Sequence, residues 1–183
     1  FGWEKKAGFT GGTVILTEES DQARISEMRK SGLNIMMSMK TSAKPVSFVE
    51  DCAVALPDLA EYTDKLTKIF TKYKTTGTWY AHASVGCLHV RPVLDMKNSD
   101  DVAAMRKIAE ETFQLVKDYG GSHSGEHGDG IARSEFNEVM FGKKMAALFK
   151  QVKQMLDPQS IFNPGKITDS PKMDDRSLFR FAP

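Results

Sequence analysis

The sequence predicts an α+β domain in which an antiparallel sheet of ferredoxin-like type packs against helices. Segments typical of strands and helices interleave in the order β-α-β-α-β-β-α, loop, α, tail. Two strands are adjacent in this order and the strands are few, which favours an antiparallel sheet over a doubly wound parallel one. The 183 residues are enough for one domain with a buried core.

The first strand and helix are predicted close to the start of the chain. Residues 13–16 are rich in β-branched side chains, and the acidic and hydroxyl residues that follow can cap a helix. We predict this helix over 20–30, with Gly32 ending it. The methionine-rich segment 33–45 fits either a core segment or a flexible apolar surface, and the core interpretation is favoured.

A second strand and an amphipathic helix are predicted next. Residues 45–56 alternate in polarity and are rich in strand-forming side chains, and Pro57 suits the first turn of a following helix. Apolar residues recur at three- and four-residue steps through 57–74, as on one face of a helix. They are Leu59, Tyr62, Leu66, Ile69, Phe70 and Tyr73.

A hairpin and two more helices complete the pattern. Residues 78–95 read as two strands around a turn at 84–86. A helix over 100–119 can be capped by Asn98 or Ser99, and a last helix is predicted over 134–158. Gly120 and Gly121 would end the first of these helices, and its apolar face consists of Val102, Met105, Ile108, Ala109, Thr112, Phe113 and Val116.

The composition narrows the classes of partner. A net charge of +1 argues against a nucleic-acid binder; Trp79 and Tyr80 could stack bases, but no aromatic-basic strand signature accompanies them. Cys52 and Cys87 are far apart in sequence, so we expect reduced thiols and no disulfide framework. No apolar run reaches transmembrane length, and we expect no membrane-spanning segment and no signal peptide. A small molecule is the expected ligand.

The histidines carry the clearest chemical signal, because all four lie between positions 82 and 127. His82 and His89 are seven residues apart on the two hairpin strands and can face one another. With the carboxylate of Glu126 they would form a normal ligand set for zinc or a similar ion that keeps open coordination positions. His127 would then be free for proton transfer. For either hairpin histidine alone, a structural role is the alternative.

The glutamate and the last histidine lie in the loop GGSHSGEHGDGIAR, residues 120–133. Gly125, Gly128 and Gly130 bracket them, and glycine lets a backbone pass close to a flat ring or adopt positive φ. The loop lacks the Gly-Lys-Ser/Thr ending of a P-loop, and no strand precedes it as in a dinucleotide-binding fingerprint. A solvated turn is the alternative interpretation.

SGEHGDGIAR, followed by a helix and LDPQSIFNPGKI, resembles the C-terminal domain of FAD-linked oxidases and dehydrogenases of the vanillyl-alcohol-oxidase type. The resemblance runs from about Gln22 to Ile167 and is to the branch that oxidises D-2-hydroxy acids: glycolate oxidase, D-lactate dehydrogenase and D-2-hydroxyglutarate dehydrogenase. MRKSGLNIMM and HASVGCLHVRP resemble the long form fused to an iron–sulfur region. The family's Gly-His-x-Gly-Asp-Gly-Asn-x-His is here AHASVGCLH, with Val85 and Cys87 at its Asp and Asn, which leaves the fine substrate preference open.

The resemblance implies roles for individual residues. His82, His89 and Glu126 match metal-binding positions, and His127 matches the histidine proposed as the catalytic base. Arg29 matches an arginine that holds the substrate carboxylate, a task suited to a bidentate guanidinium.

Other residues match the flavin side of the family's site. Asn163, Gly128 and Gly130 are the expected flavin-binding residues, although a turn role is equally compatible with Asn163. A lysine that relatives place before the aspartate of the second strand is missing here, and Lys40 or Lys44 could substitute for it.

The implied activity is oxidation of a D-2-hydroxy acid to the 2-keto acid by hydride transfer to FAD, with a divalent metal, expected to be zinc. The family binds FAD mainly through a separate N-terminal domain that this sequence lacks, so that domain of a longer protein is the expected partner and the chain alone is expected to be inactive. We expect a substrate domain over 1–167 and a tail or linker over 168–183.

The resemblance also bears on the rest of the longer protein. An iron–sulfur cluster elsewhere in it, a homodimer, and a cytoplasmic location, peripheral to the inner membrane through an electron acceptor, are the remaining expectations. The alternative function is a stand-alone metal-binding or sensory module of ferredoxin-like fold, which would need only His82, His89 and Glu126.

Overall fold

The computed structural model describes residues 6, 8, 11 and 14–180, which divide into two compact units, Phe1–Met39 and Lys40–Pro183. The main described element of the first unit is helix α1, Glu19–Met37. The prediction that this helix ends at Gly32 is wrong. Gly32 lacks the positive φ of a helix-ending glycine, and one glycine inside a helix costs only about 1 kcal/mol. The helix ends instead at Met37, and Ser38 caps it with a hydroxyl that donates to the Ile35 carbonyl.

The prediction of a strand over 13–16 is also wrong for residues 14–16. Thr13 lies outside the described residues, and residues 14–16 are exposed and belong to no strand. A strand needs a neighbour for its backbone hydrogen bonds, and no described strand pairs with this segment. The core interpretation of the methionine-rich segment is wrong as well, because Ile35, Met37 and Met39 are exposed.

The second unit is built on an antiparallel sheet whose central strand is the last in sequence. The strands are β1, Lys44–Pro45; β2, Asp51–Ala53; β3, Gly77–His82; and β4, Cys87–Leu94. Strand β3 pairs along one edge of β4, while β1 and β2 pair with the two ends of its other edge. The predicted hairpin is therefore confirmed, and the α+β class with an antiparallel sheet is confirmed.

The segment predicted as one strand over 45–56 is two short strands joined by a bulge. Pro45 pairs with Val93 and Asp51 pairs with His89, so the five residues 46–50 stand opposite the three residues 90–92. Two extra residues on one strand bend it and re-aim its side chains.

Two helices cover one face of the sheet and form the core with it. They are α2, Leu59–Lys72, and α3, Ser99–Asp118. Helix α3 begins where the Asn98 side chain accepts a hydrogen bond from the Asp100 amide, at 2.8 Å. Their predicted inward faces are confirmed: the buried residues are Tyr62, Leu66, Phe70, Val102, Met105, Ile108, Ala109, Thr112, Phe113 and Val116.

Alternation along β4 separates the core from the site. Leu88, Val90 and Leu94 are buried in the core with the helices, whereas His89 and Arg91 point to the opposite face. The face that the helices leave uncovered is therefore the face that carries the histidines.

The last helical region is broken where the sequence predicts one helix over 134–158. Helix α4, Gly130–Arg133, and a 3-10 turn, Ser134–Phe136, lead into α5, Asn137–Leu156. Within α5 the backbone kinks at Gly142, whose φ of 81° and ψ of 159° are not helical. The tail packs on this unit, since Met173 is buried in the core; the domain boundary at residue 167 stays a prediction.

Replacement of Gly86 by alanine should destabilise the fold strongly. Gly86 follows the hairpin turn with a φ of +71°, and a Cβ there would overlap the carbonyl oxygen of Val54. We expect Gly86→Ala to lower the free energy of unfolding by more than about 2 kcal/mol, measured by urea denaturation. Gly120→Ala is the control: its φ is +63° but nothing lies within 4 Å, so it should cost only about 1 kcal/mol. Equal losses would contradict the close contact.

Candidate functional site

The two hairpin histidines lie side by side on the uncovered face of the sheet. His82 ends β3 opposite Cys87, and His89 on β4 stands opposite Tyr80, so the histidines are diagonal neighbours. Their ring centroids are 4.9 Å apart and the rings are nearly perpendicular. Burial lowers the pKa of His89, and the nearby Glu126 offsets only part of this effect, which favours the neutral imidazole that a metal ion needs.

Glu126 brings a carboxylate to the same place from the glycine-rich loop. Its Oε1 lies 3.5 Å from His82 Nε2, and its Oε2 lies 3.7 Å from His89 Nε2. One ligand atom from each of the three residues can be chosen so that all lie within 4.8 Å of one another. Bonds of 2.0–2.2 Å in a tetrahedral zinc site place neighbouring ligand atoms about 3.3–3.6 Å apart. The three residues therefore offer a donor chemistry suited to zinc, and their ligand atoms lie close enough to converge on one ion after small side-chain shifts.

The buried carboxylate of Asp51 holds this loop in place. Its Oδ2 accepts hydrogen bonds from the backbone amides of Glu126 and His127, at 2.8 and 2.7 Å. Its Oδ1 pairs with the guanidinium of Arg133, which also donates to the Gly128 carbonyl. Asp51 has no solvent exposure, so each of these donors compensates a charge that water cannot reach.

Backbone contacts attach the start of the loop to β2. Ala53 and Ser122 exchange two backbone hydrogen bonds of 2.9 Å, and the Gly125 amide donates to the Asp51 carbonyl at 2.8 Å. A Cβ on Gly125 would lie 2.9 Å from that carbonyl oxygen and 3.2 Å from Cys87 Sγ. This glycine is needed for close approach of the loop to β2, whereas Gly128 and Gly130 have positive φ in open space.

His127 stands beside the three predicted ligands. Its ring stacks on His89 with 5.0 Å between centroids, and its Nε2 is 3.9 Å from the Glu126 carboxylate. Its Nδ1 is 2.9 Å from Glu50 Oε1. Glu50 Oε2 in turn accepts from Nε and Nη2 of Arg91, each at 2.6 Å. The side chain of His127 is thus bound at one nitrogen and open at the other.

Sequence reasoning missed the residues that support this site, namely Glu50, Asp51 and Arg133. A signal was present, since two consecutive acids in a strand that is otherwise apolar must find buried partners. The sequence could not show which partners these are.

The fourth histidine, His123, is not part of the cluster. It is buried between Phe113 and Phe141, with its Nε2 3.3 Å from the Asp129 carboxylate. Burial lowers its pKa, and the charge of Asp129 opposes this only in part. His123 therefore packs at the base of the loop as an aromatic side chain.

The remaining predicted residues lie in three places. Arg29 is exposed on α1, in the first unit. Gly128 lines a cavity of about 310 Å³ with Glu126, and Asn163 lines a separate one of about 520 Å³. Ile167 lies on the wall of both, so the two cavities adjoin.

The structure is thus an antiparallel α+β domain in which two histidines on one sheet face meet a glutamate and a further histidine from a loop. Residues 4–167 match the family described as FAD linked oxidases, C-terminal domain, and the chain belongs to this family. No helix in the part of the chain that the structure describes is long and apolar enough to cross a membrane.

Several proteins of related function are similar to this chain in sequence. D-2-hydroxyglutarate dehydrogenase of Escherichia coli (strain K12) is 33% identical over 163 residues, covering 89% of this chain and 16% of that protein. D-2-hydroxyglutarate dehydrogenase of Pseudomonas putida is 37% identical, covering 79% of this chain and 14% of that protein. Glycolate oxidase subunit GlcD of Bacillus subtilis is 29% identical, covering 89% and 34%. The chain thus spans about a third or less of the length of these relatives.

Removal of the charge on Asp51 should destabilise the second unit. Asp51→Asn would remove the carboxylate that pairs with the buried guanidinium of Arg133. The new side-chain amide would also point N–H hydrogens at groups that themselves donate to Asp51. We expect a loss of about 3–5 kcal/mol in the free energy of unfolding, measured by chemical denaturation. Asp64→Asn, which breaks an exposed pair with Lys68 on α2, should cost less than about 1 kcal/mol. A similar small loss for both variants would show that Asp51 does not anchor the loop.

Proposed function

We propose that the chain is the substrate-side domain of an FAD-dependent enzyme that oxidises a D-2-hydroxy acid to the 2-keto acid. One observation carries the proposal: in a domain of the FAD-linked oxidase family, the ligand atoms of His82, His89 and Glu126 converge beside His127. The similarity to proteins named D-2-hydroxyglutarate dehydrogenase and glycolate oxidase subunit GlcD supports this class of substrate.

The proposed metal ligands are His82, His89 and Glu126. Two imidazole nitrogens and one carboxylate are a common set for zinc with an open coordination position. A divalent ion bound there would supply positive charge that lowers the cost of deprotonating a substrate hydroxyl. The approach of the Glu126 carboxylate to both imidazole Nε2 atoms, at 3.5 and 3.7 Å, supports the assignment.

His127 is the proposed proton acceptor. Its Nδ1 is occupied by Glu50, whereas Nε2 faces the side of the proposed ligands. The substrate hydroxyl would give its proton to this nitrogen as the Cα–H bond breaks and the C–O bond becomes a carbonyl. FAD, when bound, would accept the hydride with its two electrons.

The other proposed roles concern the substrate carboxylate and the flavin. We assign Arg29 to the carboxylate, because a guanidinium binds a carboxylate through two parallel hydrogen bonds. We assign Gly128, Gly130 and Asn163 to the flavin. The open space beside the two glycines and the left-handed conformation of Asn163, with a φ of 49°, support a backbone that lies close to a flat ring.

The proposed partner is the FAD-binding domain of a longer chain, and α5 offers a surface for it. Met145, Leu148, Val152 and Met155 recur at three- and four-residue steps along this helix, and all are exposed. Contiguous exposed apolar residues of this kind mark an interaction surface. The iron–sulfur region, the homodimer and the cytoplasmic location peripheral to a membrane remain predictions about the longer protein.

Zinc binding can be tested on the chain itself. Glu126→Gln keeps the shape of the side chain and removes its charge, so we expect the affinity for zinc to fall at least about 100-fold, measured by titration calorimetry. Glu138→Gln, an exposed glutamate on α5, should bind zinc as the wild type does. Equal affinity of the two variants would refute the assignment of Glu126.

The base can be tested in a longer protein that carries this domain together with its flavin-binding region. We expect His127→Gln to lower kcat by about 10²–10⁴-fold on D-2-hydroxyglutarate, D-lactate or glycolate, because an amide cannot accept the hydroxyl proton. Zinc content measured by mass spectrometry should be unchanged. Loss of zinc together with activity would instead make His127 a ligand.

A further inference from the structure

One carboxylate of the site is shared between two partners, each bound to a different oxygen. Oε1 of Glu50 lies 2.9 Å from His127 Nδ1, and Oε2 accepts both hydrogen bonds from Arg91. Glu50 ends the bulge before β2, while Arg91 lies on β4 and His127 in the loop. The three side chains therefore connect the three segments that build the site.

The protonation state of Glu50 determines whether it donates or accepts the hydrogen bond with His127. Burial alone would raise the pKa of Glu50, but the hydrogen bond and charge of Arg91, followed by those of His127, lower it below its usual value. Glu50 is then a carboxylate, which only accepts hydrogen bonds. The nitrogen that faces it must carry the hydrogen.

We propose that Glu50 is a positioning residue that fixes His127 in the tautomer with hydrogen on Nδ1, and that Arg91 determines which oxygen of Glu50 faces the ring. This inference rests on the proposed function for its consequence in catalysis. With hydrogen on Nδ1, the lone pair of the neutral ring is on Nε2, on the side of Glu126. A ring with hydrogen on Nε2 could not take a proton there.

The role of Arg91 leads to a specific expectation for Glu50→Gln. A guanidinium only donates hydrogen bonds, so in this variant the amide oxygen must face Arg91. The amide nitrogen then faces His127 Nδ1 and donates to it. His127 must accept at Nδ1 and carry its hydrogen on Nε2, which is the reverse of the wild-type tautomer.

Nuclear magnetic resonance can read this reversal directly, since a chain of 183 residues has only four histidines. The chain is labelled with nitrogen-15 histidine, and long-range proton–nitrogen correlations are recorded at alkaline pH, where imidazoles are neutral. The signals of His127 are those missing from His127→Gln. We expect hydrogen on Nδ1 in the wild type and on Nε2 in Glu50→Gln.

Further variants separate this role from general damage to the fold. The double variant Glu50→Gln, Arg91→Met removes the donor that fixes the amide. Hydrogen on Nε2 of His127 is then no longer enforced, and the tautomer with hydrogen on Nδ1 should reappear. Arg91→Met alone keeps Glu50 and should keep the wild-type tautomer. Glu135→Gln, at a similarly buried glutamate that binds Arg106 away from the site, should also leave the tautomer of His127 unchanged.

Hydrogen on Nε2 in the wild type, or no reversal in Glu50→Gln, would overturn the inference. In a longer, flavin-containing protein we expect Glu50→Gln to lower kcat about 100-fold, with zinc content retained. A reversed tautomer with unchanged kcat would agree with the role of Glu50 in fixing the tautomer, but it would refute the proposed role of His127 as the base. The two proposals therefore fail by different results.

Discussion

The arrangement of the site depends on one buried charge, the carboxylate of Asp51. It lies on β2, has no contact with solvent, and binds two consecutive loop amides and the guanidinium of Arg133. The amides belong to Glu126 and His127, so the same carboxylate orients the proposed metal ligand and the proposed base. Because β2 also pairs with β4 at His89, the loop and the hairpin share one rigid frame.

The attachment of the loop to β2 explains why the loop needs a glycine at position 125. A loop that lies directly against β2 has no room for a Cβ at Gly125, and the loop must then turn outward to present its two functional side chains. The bulge before β2 adds the second carboxylate, Glu50, to the same face. One short strand therefore supplies the anchor of the loop, and the residue before it orients the ring of His127.

The features that the sequence predicts correctly are those that follow a short repeat of residue positions along a helix or strand. Burial along α2 and α3 follows the helical repeat, and the diagonal placement of His82 and His89 follows from strand alternation and a tight turn. Sequence reasoning fails at Gly32 and at residues 14–16, where local propensity alone indicated a helix end and a strand. The side-chain contacts of Asp51 and Glu50 were also missed, because their partners in residues 120–133 are 75 to 82 residues away in sequence. No local pattern encodes such a pairing.

The proposed zinc site of His82, His89 and Glu126 is tested most directly by X-ray absorption at the zinc edge of the zinc-loaded chain. We expect two imidazole ligands and oxygen ligands at about 2.0–2.2 Å, and loss of one imidazole contribution in His82→Ala. A sulfur ligand at about 2.3 Å, which would implicate Cys87, or a spectrum unchanged by His82→Ala, would contradict this assignment.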